Sequence, residues 1–410
     1  MLRRRLSHPI AHSIMPALAT VLVAATALTL LAVPARGTAR GTASAGQGRD
    51  LYSVPDPLPS APPGTIIRSE PIAAPRGATA WRVLYHSESV DGRDIAVSGV
   101  IVAPQGKAPK ATVPKGGRPV VTWAHGTTGL ADSCTPSKAE NVASKLPYVD
   151  AMVEAGYVVA ATDYEGLGTP GLHPYLVGES EGRGVLDAAR AARALDRTRA
   201  GKDLLVFGHS QGGHAALFAG EIAARYAPEE RILGVVAAAP AADLDVILPA
   251  AGAIKQAAGF LVMGAKGIHA AYPQADPAAV LSPDALAKSG IVEKECVGAV
   301  VKTFAGTSTA VVAHNPLEVA PWGDLIHASS AGNHPAGAPV LVVQGEADRL
   351  VLPILSDAWV RKACAAGDAV DYRTYPGADH GSVIPAARTD VLEWLAARAK
   401  GDAVTNGCSA

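Results

Sequence analysis

The stretch Leu204–Phe218 reads LLVFGHSQGGHAALF and contains Gly208-His209-Ser210-Gln211-Gly212, a G-x-S-x-G pattern. A serine held at a sharp turn between a strand and a helix presents its hydroxyl as a nucleophile for an acyl carbon, and small flanking residues permit that turn. The pattern occurs again at Gly178-Glu179-Ser180-Glu181-Gly182. The contexts differ. Ser210 lies between an apolar run, Leu204–Phe207, and an Ala-rich helical pattern that opens at Gln211, whereas Ser180 follows a Gly/Pro loop and has an acid on each side. Ser180 reads as a helix N-cap with acids at the positive end of the helix dipole. Ser210 is the candidate nucleophile.

A serine hydroxyl is a poor nucleophile without a base, and a histidine base needs a carboxylate to orient it. On a strand–turn–helix scaffold the chain order is serine, acid, histidine. Gln344-Gly345-Glu346-Ala347-Asp348 directly follows an apolar run, which puts Asp348 at a strand end, with Glu346 as the rival acid. Tyr375-Pro376-Gly377-Ala378-Asp379-His380-Gly381 follows the last such run and puts His380 in a loop before the final helical pattern. Between Asp348 and His380 there is room for one helix and one strand. Asp379 adjoins His380, and adjacent side chains rarely face each other, so it reads as a loop acid. Alone, each residue has an ordinary explanation as a turn acid or a solvated histidine. The combination is specific: three residue types, in the required order, each ending a predicted strand.

The charge that develops on the acyl oxygen needs N–H donors. One is the backbone N–H of Gln211, at the start of a helix. The other belongs to the loop after an earlier strand, Trp123-Ala124-His125-Gly126-Thr127-Thr128-Gly129, where Thr127 is the first candidate and Thr128 the second. A threonine hydroxyl can add a further donor. His125 and His209 read as structural.

These residues must be carried by elements that bring them to one edge. Trp81–Ser87 and Asp94–Ala103 alternate like antiparallel edge strands. Beyond them, apolar runs at Pro119–Ala124, Tyr157–Asp163, Leu204–Phe207, Ile232–Ala238, Pro339–Gln344 and Val370–Tyr375 alternate with helical patterns at Pro147–Ala155, Glu181–Leu195, Gln211–Tyr226, Pro353–Ala365 and Ala386–Ala399. That alternation specifies an α/β fold, a mostly parallel sheet with helices on both faces. It breaks once, over 248–337, where helical patterns at Ala251–Lys266, Ser282–Gly290 and Lys294–Phe304 lie between two core strands. The break reads as a helical lid or cap at the strands' C-terminal edge. Its apolar residues Phe260, Leu261, Val262 and Met263 would line an acyl tunnel, face an interface, or form helix core. The core is then 76–247 and 338–410. Gly166-Leu167-Gly168-Thr169-Pro170-Gly171 spells G-x-G-x-x-G, but Pro170, Gly171 and Pro174 keep a helix from opening there, so it reads as a loop rather than a dinucleotide site.

The chain has 410 residues, 49% hydrophobic and 18% charged, with a formal net charge of -1. A large core is affordable, and no basic block marks a nucleic-acid surface. Arg3, Arg4 and Arg5, the apolar stretch Ile14–Leu31 and Val33-Pro34-Ala35 read as a secretory signal peptide over 1–35, with a second plausible cut after Ala45. The stretch is also long enough for a single membrane anchor. Residues 36–75, rich in Gly, Ala, Pro, Ser and Arg, read as a flexible leader that settles on the domain surface. Cys134, Cys296, Cys364 and Cys408 are an even set, which in an exported chain favours disulfides, with three pairings possible. No C-x-x-C or H-E-x-x-H spacing points to a metal, and no cofactor is expected.

Together, WAHGTTG and ADSC (Trp123–Gly129, Ala131–Cys134), GHSQGG (Gly208–Gly213), QGEAD (Gln344–Asp348) and ADHG (Ala378–Gly381) resemble the secretory lipases, exported α/β-hydrolases with a large helical lid. The resemblance implies an ester hydrolase with Ser210 as nucleophile, Asp348 as acid and His380 as base, and disulfides Cys134–Cys296 and Cys364–Cys408. Some fungal members carry an acidic residue near the oxyanion turn. Threonines stand there in this chain, so chain-length preference does not transfer. The expected partner is a lipid or small ester, met by a monomer with transient contact at a lipid–water interface. Rival readings are an acyltransferase or peptidase on the same fold, or a non-catalytic binding protein.

Overall fold

The computed structural model describes residues 50–106, 115–251, 257–305 and 311–409. The expected signal peptide, both cut sites and the first part of the leader lie outside the described residues.

Among the described residues, nine strands form one sheet: β1 (Ile66–Ile72), β2 (Ala78–Glu88), β3 (Asp94–Pro104), β4 (Arg118–Ala124), β5 (Val158–Thr162), β6 (Ala200–His209), β7 (Arg231–Ala238), β8 (Val340–Gly345) and β9 (Val370–Tyr375). Their order is β1-β2-β3-β5-β4-β6-β7-β8-β9. The pairs β1–β2, β2–β3 and β3–β5 are antiparallel, and β5 through β9 run parallel. Residues alternate between the faces. Leu204 and Val206 of β6 pack into one apolar layer, Leu205 and Phe207 into the other. That is why these strands read as continuous apolar runs.

Helices α1 (Val142–Lys145), α2 (Val149–Glu154), α3 (Gly178–Ala194), α4 (Gln211–Tyr226), α5 (Leu244–Ala251), α6 (Ala258–Ala271), α7 (Pro283–Lys288), α8 (Val297–Ala305), α9 (Trp322–Ala328), α10 (Pro353–Ala365), α11 (Val383–Ala386) and α12 (Arg388–Lys400) complete the fold. Residues of α3, α4 and α10 cover one face, and residues of α1, α2, α11 and α12 the other. Between β7 and β8, α5 to α9 build a third apolar cluster around Val262, Met263, Val300, Phe304 and Trp322.

Three expectations need correction. Part of the supposed leader, Ile66–Ile72, is the edge strand β1, and Leu51 is buried. Gly/Pro-rich flanks and the internal Pro71 mask that strand, and an edge position tolerates the proline. Ser180 does not cap α3. Val177 is the N-cap, and Ser180 sits in the first turn, donating to the Glu165 carboxylate at 2.6 Å. The insertion's first helical segment is not one helix over Ala251–Lys266: α5 begins earlier, at Leu244, and carries Pro249, while α6 begins only at Ala258.

Candidate active site

Ser210 occupies the turn between β6 and α4 with φ 59° and ψ −118°. A non-glycine residue rarely adopts a positive φ, and surroundings must enforce it. Here its N–H donates to the Ala238 carbonyl at 2.9 Å, and its carbonyl accepts from His214 at 3.1 Å and Ala241 at 3.2 Å. The tight approach dictates the flanking glycines. A Cβ on Gly208 would lie 1.8 Å from the Gly212 carbonyl oxygen, and one on Gly212 would lie 1.9 Å from that of Ala124.

Asp348 follows β8 and His380 follows β9, so both reach the C-terminal edge where β6 delivers Ser210. His380 Nδ1 lies 2.7 Å from Asp348 Oδ2, and His380 Nε2 lies 2.9 Å from Ser210 Oγ. A carboxylate only accepts, so Nδ1 carries the hydrogen and Nε2 presents its lone pair to the serine hydroxyl. The other Asp348 oxygen accepts the N–H groups of Leu350 at 2.8 Å and Val351 at 3.0 Å. Burial works against ionisation of Asp348, but the His380 bond and charge and these N–H groups outweigh it and hold the carboxyl below its usual range.

The rival acids point elsewhere. Glu346 accepts from the Thr374 hydroxyl at 2.8 Å. Asp379 accepts from Gly381 and Ser382 within its own loop. His125 is buried, bonded at Nδ1 to the Gly126 carbonyl at 2.7 Å and packed at a tilt against the Tyr164 ring. His209 bonds the main chain of His380.

The WAHGTTG loop runs beside Ser210: a Cβ on Gly126 would lie 3.5 Å from Ser210 Cβ. Among the described residues, the N–H groups of Gln211 and Thr127 donate to no protein acceptor. The Thr127 hydroxyl pairs with that of Tyr175 at 2.8 Å. The Thr128 carbonyl accepts from Val297 of the insertion at 2.9 Å, and its hydroxyl is buried with no partner among the described residues. Cys134–Cys296 and Cys364–Cys408 are disulfides, and Gly129 forms a β-bridge with Cys296.

Ser210 opens onto an apolar cavity walled by Tyr175, Leu244, Leu248, Phe260, Leu261 and Leu355 among others. A second cavity continues under the insertion towards Val280, Leu281 and Trp322 and shares Leu176, Leu244, Leu248, Leu261 and Gly264 with the first. Of the apolar lid residues singled out above, Phe260 and Leu261 line the first cavity, whereas Val262 and Met263 are fully buried in the insertion's core.

The residues not foreseen from sequence are Tyr175 and a polar group behind Gln211: His173, Glu181 and His214. Glu181 belongs to the second G-x-S-x-G stretch, which offered the only sequence signal for any of them.

A family model described as secretory lipase matches residues 135–407. A protein named as a probable inactive lipase from Mycobacterium tuberculosis (strain CDC 1551 / Oshkosh) is 27% identical, covering 87% of this chain and 83% of its own. A secreted triacylglycerol lipase of Malassezia globosa is 24% identical, over 87% of this chain and 82% of its own. Among solved structures, that of Candida antarctica lipase A superposes with a TM-score of 0.73 at 19% identity, over 88% of this chain and 87% of that one.

Proposed function

Because the chain belongs to the secretory lipase family, we propose that it is an exported carboxylic ester hydrolase, a triacylglycerol lipase or carboxylesterase, working through Ser210, His380 and Asp348. The observation that carries this reading is the continuous hydrogen-bonded line from Ser210 Oγ through His380 to Asp348, set at the mouth of an apolar cavity.

In this reading Ser210 Oγ attacks the ester carbonyl while its proton passes to His380 Nε2. The imidazolium is stabilised by Asp348, which stays ionised. The carbonyl oxygen takes up negative charge and is met by the N–H groups of Gln211 and Thr127. Collapse of the tetrahedral species expels the alcohol, which takes the proton from His380, and leaves the acyl group on Ser210. Water then attacks with His380 again as base, releasing the acid and restoring the serine. The apolar walls under the insertion receive the acyl chain, which favours a hydrophobic acyl group over a peptide. The two disulfides and the family's secretory character support export through an N-terminal signal peptide over 1–35.

The name of the mycobacterial relative favours a second reading, a fold that binds without turning over. One experiment separates them: hydrolysis of p-nitrophenyl esters from C2 to C18 and of emulsified triacylglycerol, with fluorophosphonate labelling of Ser210. Labelling with turnover supports the enzyme. A folded protein that neither labels nor hydrolyses any of these esters overturns it.

A further inference from the structure

The second G-x-S-x-G stretch, idle in the scheme above, brings a fully buried carboxylate to the residue after the nucleophile. Glu181 in α3 is 0% exposed. Its Oε1 accepts from Gln211 Nε2 at 2.8 Å and from the Leu176 N–H at 2.9 Å. Its Oε2 meets His214 Nδ1 at 2.7 Å, and His214 Nε2 lies 2.7 Å from the Ser329 carbonyl. Both His214 nitrogens therefore face acceptors, and the Glu181–His214 pair must hold one proton between them. Burial opposes charge on His214, but the Glu181 bond outweighs it and raises the ring above the usual histidine range.

The same logic fixes the Gln211 amide. Its Nε2 also lies 2.8 Å from His173 Nε2, while His173 Nδ1 bonds the Glu165 carbonyl at 2.8 Å. A carbonyl only accepts, so His173 Nδ1 donates, Nε2 accepts, and the ring is neutral. Burial accordingly pushes its pKa down to about 4. Turning the amide over would aim its oxygen at the Glu181 carboxylate, so the hydrogen bonds set one orientation. Gln211 is thus clamped at both amide hydrogens, immediately after a residue with strained backbone, so its side chain adds a second hold on a peptide plane whose other edge, the Ser210 carbonyl, accepts from His214 and Ala241.

We propose that Glu181 is a positioning residue: by gripping the Gln211 side chain it aims the Gln211 backbone N–H at the oxygen of the tetrahedral intermediate. The same carboxylate holds the Leu176 N–H, and so fixes a cavity wall. This rests on the hydrolase reading above. A group that aims a transition-state donor acts on kcat and leaves ground-state binding alone. A group that only supports the core moves stability without that split.

The test measures kcat, KM and affinity for an alkyl boronic acid, a tetrahedral analogue, with a soluble p-nitrophenyl butyrate assay on the full chain. Wild type is measured first; absence of turnover there overturns the hydrolase reading and this proposal with it. With turnover established, Glu181→Ala is expected to lower kcat roughly 10- to 100-fold, to leave KM within about threefold, and to weaken the boronic acid in proportion to kcat/KM. Glu181→Gln, whose oxygen can accept from both Gln211 and Leu176, restores most of the rate. A folded Glu181→Ala with wild-type kcat overturns the proposal, as does an equal loss in Glu181→Gln. Should Glu181→Ala fail to fold, Gln211→Met releases the same clamp and leaves the Glu181–His214 pair in place. The same fall in kcat at constant KM is expected there, and an unchanged kcat is overturning.

Discussion

His209 Nε2 donates to the main-chain carbonyl of His380 over 2.7 Å, so the residue before Ser210 grips the loop that carries the facing imidazole. The two rings lie 4.7 Å apart, and burial, together with the neighbouring His380, pushes His209 down to about 4. A neutral ring in this place holds the loop without setting a second positive charge beside the His380 imidazolium. Replacing it should loosen the distance between Ser210 and His380. His209→Ala is expected to lower kcat about tenfold and stability by about 1–2 kcal/mol, read by steady-state kinetics and denaturant unfolding.

Ser210→Ala should remove turnover, a fall of about 10⁴–10⁶ in kcat, without lowering the unfolding midpoint, since alanine also carries a Cβ and leaves the strain of the positive φ unchanged. Asp348→Asn leaves the His380 ring without the acceptor that sets its tautomer, and a fall of about 10⁴ is expected. Rates measured beside fluorophosphonate labelling check both, because neither variant should label at the wild-type rate.

The disulfides separate stability from chemistry. Cys364–Cys408 closes a loop of sequence separation 44 and ties the C-terminal tail to α10. The pair Cys364→Ser with Cys408→Ser should cost about 4 kcal/mol by loop entropy and leave kcat within about twofold. Cys134–Cys296, of separation 162, fastens the segment after Thr127 and Thr128 to the insertion. Removing it should cost about 5 kcal/mol by the same relation and lower kcat as well. Denaturant unfolding with parallel kinetics distinguishes the two.

Glu221 in α4 accepts the Gly332 N–H at 2.6 Å, and burial pushes its pKa up to about 7. The folded chain therefore binds this proton more tightly than the unfolded chain does. A raised carboxyl loses stability as pH rises from the unfolded value, 4.5, through about 7. Glu221→Gln keeps an acceptor for Gly332 and cannot ionise. Its stability should match wild type near pH 4 and exceed it by about 2 kcal/mol at pH 8. Unfolding curves across that range test the sign; an advantage confined to acid pH is the contrary result.

Gly264 lines both apolar cavities, and a Cβ there would meet nothing within 4 Å. A large side chain would enter the passage without disturbing α6. Gly264→Leu is expected to reduce turnover of C12–C16 esters about tenfold or more while leaving C2–C4 esters near wild type. Equal effects across chain lengths would place the acyl group elsewhere.

Most of the sheet was legible because its strands are apolar runs bounded by Gly and Pro. Gln211–Tyr226, Pro353–Ala365 and Val370–Tyr375 stand at the residues expected. β1 was hidden by a proline that only an edge can carry, and α5 by Pro249 inside it. The positions of Ser210, Asp348 and His380 at strand ends follow from order and spacing. The partners of Gln211 do not. Glu181, His173 and His214 are joined only through side chains that the folded sheet brings together, and no periodicity records that meeting.

Gly129 pairs with Cys296 through the backbone, directly beside the Cys134–Cys296 crosslink. The insertion is thereby pinned at one corner, next to the threonine loop. At that corner the threonine loop and the insertion cannot part unless a covalent bond and a backbone pairing both give way.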